Sequence, residues 1–230
     1  MSVLRWVWRL FLMALLALVA LQFWFAAHIA YWVKFNPGST AFMRARLEVL
    51  RVKDPNAKLR HQWTPYARIS PHLKRALIAA EDARFLEHDG FDWDGIKQAW
   101  ERNRRERAIV AGGSTISQQL AKNLFFSGNR TWWRKGLEAN VTLMLEAMMS
   151  KRRILELYLN VIEWGDGVFG AEAAARYHYG TSAANLNLTQ AARLAAMTPS
   201  PRRYRPGSNT TYLMQRTSMI SARSRGVQTP

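Results

Sequence analysis

The 24 residues from Leu10 to Val33 carry no formal charge, and their only strongly polar side chains are Gln22 and His28. Wound as a helix they reach roughly 36 Å, enough to cross a hydrocarbon core of about 30 Å. Trp6 and Trp8 precede the run, and Trp24, Tyr31 and Trp32 lie in its second half, as interfacial aromatics do. A cleaved signal sequence is the other reading. The run is too long for a signal's apolar region and no clean Ala-x-Ala site follows it, so we expect an uncleaved single-pass anchor over residues 10–33. Its orientation is not set by charge. Arg5 and Arg9 lie before it, but Lys34, Arg44, Arg46, Arg51 and Lys53 lie after it.

Beyond the anchor, composition excludes several classes. The 230 residues contain no Cys, which removes disulfide scaffolds, cysteine nucleophiles and Cys-ligated metal sites. Lys and Arg number 33 against 16 Asp and Glu, a net +17 that asks for a polyanionic partner or surface. No nucleic-acid module is visible and the Arg residues are scattered, so nucleic acid is not expected. Pro37-Gly38-Ser39 reads as the exit from the membrane, within a linker or membrane-proximal segment over 34–61. Residues 201–230 hold six Arg and no acid, and are expected to form a solvated or membrane-surface tail.

The soluble part reads as helical nearly throughout. Ser70-Pro71 is an N-cap followed by Pro at the first helical position, and Leu73, Leu77, Glu81 and Phe85 then recur at i, i+4. A second helix holds Ile96 and Trp100. Thr115-x-x-Gln118 is a capping box before a helix carrying Ile116, Leu120 and Leu124. A helix from about Trp132 contains Trp133, Leu137, Val141, Met144, Leu145 and Met148. Another follows Ser150, residues 170–179 make a further one, and Asn187 or Thr189 starts a last helix that Pro199 stops. No period-2 alternation stands out, so the fold class is mainly α.

Three segments could carry chemistry. In the first, Glu81 falls on the apolar stripe between Leu77 and Phe85, where a carboxylate is partly desolvated and suited to act as a general base. An ordinary surface acid cluster fits the same spacing. In the second, Gly112-Gly113 run into the capped helix start, whose N–H groups and dipole suit an anion, and Gln119, Lys122 and Asn123 line a polar face behind it. A plain loop-to-helix junction is the bland alternative. In the third, Arg134 and Glu138 are spaced i, i+4. That is a simple surface ion pair, or else a carboxylate facing a cleft with Arg134 and Lys135 beside it to hold a diphosphate.

Together the segments resemble the peptidoglycan glycosyltransferases, the family of penicillin-binding-protein transglycosylase domains. Glu81-Asp82-x-x-Phe85-x-x-His88-x-Gly90 is similar to its first motif. Residues 112–123 are similar to the second, with Ser117 where Thr is usual. Arg134-Lys135-x-x-Glu138 is similar to the third, and Ile154-Leu155-Glu156-x-Tyr158-Leu159-Asn160 through Gly180 to the fourth. Pro201-Arg202-Arg203-Tyr204-Arg205-Pro206 is a looser match to the fifth.

The resemblance implies a single lysozyme-like helical domain over residues 62–206 behind the anchor, with a basic tail over 207–230. It implies polymerisation of lipid II on the periplasmic side of the bacterial inner membrane. Glu81 is then the base and Glu138 the second essential carboxylate. Ser114, Thr115, Gln119, Lys122, Asn123, Arg134 and Lys135 line the substrate and diphosphate site, while Asp82, Phe85, His88 and Glu156 are supporting. It allows a divalent cation, Mg2+ or Mn2+, held in part by Glu138, and no organic cofactor. Expected partners are lipid II, the growing glycan strand, membrane lipids and proteins of cell-wall synthesis or division. No Ser-x-x-Lys occurs, so the monofunctional form without a transpeptidase is implied. The competing reading is a lytic enzyme with Glu81 and Glu138 flanking a glycan bond. A membrane-tethered binding protein is the reading from outside enzymology.

Overall fold

The computed structural model describes residues 3–108, 112–128, 131–204, 206–208 and 210–230. They fall into two units, divided between Pro37 and Gly38. The first is α1 (Val3–Lys34), with a mean hydropathy of 2.3 over its most apolar stretch, long and apolar enough to cross a membrane. Its polar His28 is accommodated locally: the ring Nδ1 donates to the Trp24 carbonyl one turn back, at 2.9 Å. Apolar side chains such as Phe11, Leu16 and Phe23 stand exposed along it.

The second unit is mainly α, with a small three-stranded sheet. Its helices are α2 (Ala41–Lys53), α3 (Pro71–Glu81), α4 (Trp93–Glu106), α5 (Ile116–Phe125), α6 (Trp132–Met148), α7 (Lys151–Val161), α8 (Ala171–Tyr179), α9 (Leu188–Met197) and α10 (Thr211–Ser224). The strands β1 (Arg60–His61), β2 (Glu163–Gly165) and β3 (Val168–Phe169) run in the order β1-β3-β2, with β1 parallel and β2 antiparallel to β3. Most helix starts follow from local chemistry. Ser70, Thr115, Thr131, Ser150 and Asn187 each accept a backbone N–H from the first turn, and Thr115 and Asn187 complete reciprocal capping boxes with Gln118 and Gln190. Gly170 opens α8 at φ +83°, where a Cβ would stand 2.9 Å from the Asn160 carbonyl oxygen, so only glycine fits.

Packing joins α3, α9 and α10 on one side and α5, α6 and α7 on the other. Leu73, Leu77, Ile116, Leu120, Val141, Leu145, Leu155 and Leu194 are fully enclosed. At about 1.5–3 kcal/mol for each large apolar side chain, this burial is the main term opposing chain entropy.

Four expectations change. The apolar stripe over Phe85 does not mean that α3 continues: the helix ends at Glu81, and Asp82 leaves it at φ −163° and ψ 74°. Phe85 still reaches the core, from the turn that follows. The α6 stripe is only partly core, since Trp133 is 76% exposed while Val141 and Leu145 are enclosed. Residues 38–61 are more than a linker, because α2 packs on α5 and buries Met43. Arg46 on α2 also pairs with Glu163, at 3.2 Å, and with Asp166.

Finally, residues 207–230 are not a solvated tail. Within them α10 packs on α3 and α9 and buries Leu213, Thr217 and Ile220. Tyr66 also donates its hydroxyl to the Pro230 carbonyl. Ile220→Ala should therefore lower stability by about 2–5 kcal/mol in thermal or denaturant unfolding. A solvated tail would show no change.

Candidate active site

Glu81 closes α3, and its carboxylate is 12% exposed. Gln119 on α5 donates Nε2 to Oε2 at 3.0 Å, and Thr198, the residue after α9, lies with its hydroxyl 2.6 Å from Oε1. Arg216 on α10 stands 3.6 Å from the same Oε1. The Gln119 amide cannot turn over freely, because its Oε1 accepts the Tyr158 hydroxyl at 2.7 Å. Tyr158 remains a protonated donor: complete burial first, then the nearby charges of Glu81 and Asp82, push its phenol well above the usual range. Tyr158 thus fixes which end of Gln119 faces Glu81, and both carboxylate oxygens meet a polar side chain.

Asp82 and His88 hold this corner together. Asp82 Oδ2 accepts the Ile116 N–H at 3.0 Å, and Oδ1 accepts His88 Nε2 at 2.9 Å. His88 Nδ1 accepts the Gly90 N–H, so the ring proton sits on Nε2. The anion at the start of α5 is therefore the chain's own Asp82, and not the external phosphate that the Gly-Gly junction suggested. Thr115 is likewise removed from the substrate-lining set. It is buried, and its hydroxyl donates to the Gly90 carbonyl at 2.7 Å while accepting the Gln118 N–H. Gly90 sits at φ +95° with Thr142 where its Cβ would be, so the turn requires glycine.

Lys151 lies 4.7 Å from the Phe85 ring centroid and reaches the His88 carbonyl, which ties the first-motif turn to α7. Glu156 bridges elsewhere: it accepts the Tyr66 N–H at 2.9 Å and pairs with Arg153 at 2.7 Å.

Two clefts meet along α5. One, of about 480 Å3, is lined by Ser114, Gln118, Gln119, Lys122, Thr131, Trp132, Arg134, Lys135 and Glu138. Glu138 is buried there, with Arg134 Nε 3.0 Å from Oε1 and Lys135 Nζ 3.4 Å from Oε2. The Arg134 contact is an ion pair without hydrogen-bond alignment, so Glu138 Oε1 has no hydrogen-bond partner. The Arg134 guanidinium also donates to the Ser127 and Gly128 carbonyls and so anchors the loop before α6.

The other cleft, of about 580 Å3, is lined by Gln119, Lys122 and Asn123 of α5, by Tyr158 and Glu163, and by Thr198 to Arg203. Gln119 and Lys122 belong to both. Glu81 is in neither lining, but its partly exposed side chain is bonded to Gln119, which lines both clefts, and to Thr198, which lines the second. Asn123 spends one amide hydrogen on the Gln119 carbonyl of its own helix. Of the fifth motif, Arg202 and Arg203 reach the second cleft, and Arg205 lies outside the described residues.

Among the described residues the first cleft does not fit a resident divalent cation. Hard divalent cations take about six oxygen ligands, and the first cleft offers one carboxylate whose two oxygens already face Arg134 and Lys135. Among the described residues no group of three or more His, Asp or Glu side chains is placed to hold a metal ion. That same pairing weakens the lytic reading, because Glu138 is committed to two cations rather than to donating a proton.

Residues 48–225 match the family described as Transglycosylase. The chain belongs to the transglycosylase family. The matched segment takes in all of α10, in keeping with its packing. Relatives share nearly the full length of this transglycosylase. A biosynthetic peptidoglycan transglycosylase of Nitrosospira multiformis is 59% identical over 226 residues, 98% of each chain. One of Methylobacillus flagellatus is 60% identical over 223 residues, 97% of each, and one of Laribacter hongkongensis is 56% identical over 228 residues, 99% of this chain and 100% of its own.

Sequence reasoning assigned no role to Thr198, Tyr158 or Arg216 in this transglycosylase site. Tyr158 was visible only as part of the fourth motif. Thr198 was marked only by the Pro199 that follows it, and Arg216 lay in the segment read as tail.

Proposed function

We propose that this transglycosylase polymerises lipid II into glycan strands. The 4-hydroxyl oxygen of the acceptor GlcNAc attacks C1 of the donor MurNAc and the bond from C1 to the diphosphate breaks. Undecaprenyl diphosphate leaves, the anomeric centre inverts from α to β, and the acceptor proton passes to Glu81. Diphosphate leaves without protonation, so the donor side needs positive charge and no acid. The observation that carries this reading is the arrangement along α5. A cleft edged by Lys122, Arg134 and Lys135 adjoins a second one, and Gln119 and Thr198 of their linings hold the Glu81 carboxylate at both oxygens. Glu138 orders the two cations instead of reacting.

The apolar α1 serves as a single-pass anchor that keeps the catalytic domain at the outer face of the inner membrane, where the lipid and diphosphate of the substrate lie. The substrate's lipid, the surrounding membrane lipids and the growing strand are the partners this chemistry needs. Proteins of cell-wall synthesis or division are further candidates.

Incubating the detergent-solubilised full chain with lipid II tests the assignment. Long glycan strands and free undecaprenyl diphosphate are expected. Digestion of isolated sacculi with no strand synthesis would instead support the lytic alternative.

A further inference from the structure

Thr198 carries one hydroxyl proton, yet its oxygen lies within hydrogen-bond distance of two acceptors. Glu81 Oε1 is 2.6 Å away and the Ala195 carbonyl oxygen is 2.8 Å away. A single hydroxyl hydrogen serves one acceptor at this strength, so with Glu81 ionised only one contact is a full hydrogen bond. The count changes when Glu81 carries a proton. Oε1–H then donates to Thr198 Oγ1, and the Thr198 hydroxyl turns about its Cβ–Oγ1 bond to the Ala195 carbonyl. Both contacts are satisfied with no movement of heavy atoms. Gln119 does not interfere, because Tyr158 holds its Nε2 on Oε2 in either state. Arg216, 3.6 Å from Oε1, is the other charged group facing that oxygen.

We propose that Thr198 is a positioning residue for Glu81 in glycan polymerisation, its hydroxyl rotating to keep Oε1 hydrogen-bonded before and after the carboxylate takes the acceptor proton. The proposal rests on Glu81 being the base. No atom leaves Thr198: the acceptor's proton ends on Glu81, the new bond forms at the donor C1, and the diphosphate departs with its electron pair. Position suits the role. Thr198 is the C-cap of α9, held by its own N–H on the Ala195 carbonyl and stopped by Pro199, so its hydroxyl is carried on a fixed turn beside the second cleft.

The test compares Thr198→Val, which keeps the shape and removes the hydroxyl, with Thr198→Ser, which keeps the hydroxyl. Steady-state polymerisation of lipid II by the full chain should show kcat reduced about tenfold to a hundredfold for valine, the range for losing a hydrogen bond to a charged group. KM should stay within about twofold, and serine should restore kcat to within about threefold.

Wild-type kcat in Thr198→Val, or equal losses in valine and serine, overturns the role of Thr198. If valine prevents folding, the alanine and serine variants give the same comparison, and equal kcat in those two overturns it. Failure of the base assignment is read separately: it is signalled by full activity of Glu81→Gln alone.

Discussion

Glu81→Gln is expected to abolish glycan polymerisation while the domain stays folded. Removing a general base costs about a hundredfold to ten-thousandfold, which would leave little strand synthesis above background. The fold survives because glutamine satisfies both hydrogen-bonding neighbours. Its amide oxygen can accept from Gln119 Nε2, and its NH2 can donate to Thr198 Oγ1 while the Thr198 hydroxyl turns to Ala195. What is lost is the carboxylate's proton affinity and its attraction to Arg216. Thermal unfolding should shift little, and binding of a diphosphate-lipid analogue should be retained. Wild-type turnover in this variant would refute the base assignment. A large drop in melting temperature would point to a structural role for Glu81.

The second large effect is expected at Glu138. Replacing it with Gln leaves Arg134 and Lys135 without the anion that holds them at 3.0 and 3.4 Å. Arg134 keeps its grip on the Ser127 and Gly128 carbonyls, so the loop stays anchored. The orientation of the cations towards the cleft is what changes. Transition-state charge stabilisation of this kind is worth about a hundredfold to a thousandfold when one well-placed donor is lost, and we expect a loss in kcat of that order. A diphosphate-lipid competition assay distinguishes the cause. Disordered cations should weaken the analogue as well as turnover. A loss of turnover with unaltered competition would contradict the role given to Glu138.

The two carboxylates differ in how legible they were. Glu81 stood out because a charged residue on an apolar helical stripe costs free energy unless something receives it. That argument needs only residues 73–85, and the structure does leave the Glu81 side chain largely covered even though α3 ends there and Phe85 reaches the core from a turn. Glu138 was ambiguous, because i, i+4 spacing to Arg134 reads equally as a surface pair. Only the fold shows that Glu138 is buried at a cleft edge, with Arg134 beside it.

The α5 start was misread for the opposite reason. Two glycines before a capped helix look like an anion site, and an anion does sit there. It is Asp82, 34 residues earlier in the chain, and no local pattern reports such a meeting.

By itself the sequence determined the elements whose causes are short-ranged. These are the apolar α1, the capped starts of α3, α5, α6, α7 and α9, and the helix end at Pro199. Each depends on contacts within about four residues, so a linear reading reaches them. Tertiary structure decided the rest. The α10 segment carries buried Thr and Ser beside Leu213 and Ile220, a face too polar to be recognised until α3 and α9 cover it. Thr198, Arg216 and, through Gln119, Tyr158 come from three separate helices or helix ends to one carboxylate. Holding a half-buried charge from several directions requires parts of the chain that are distant in sequence, and only packing brings them to Glu81.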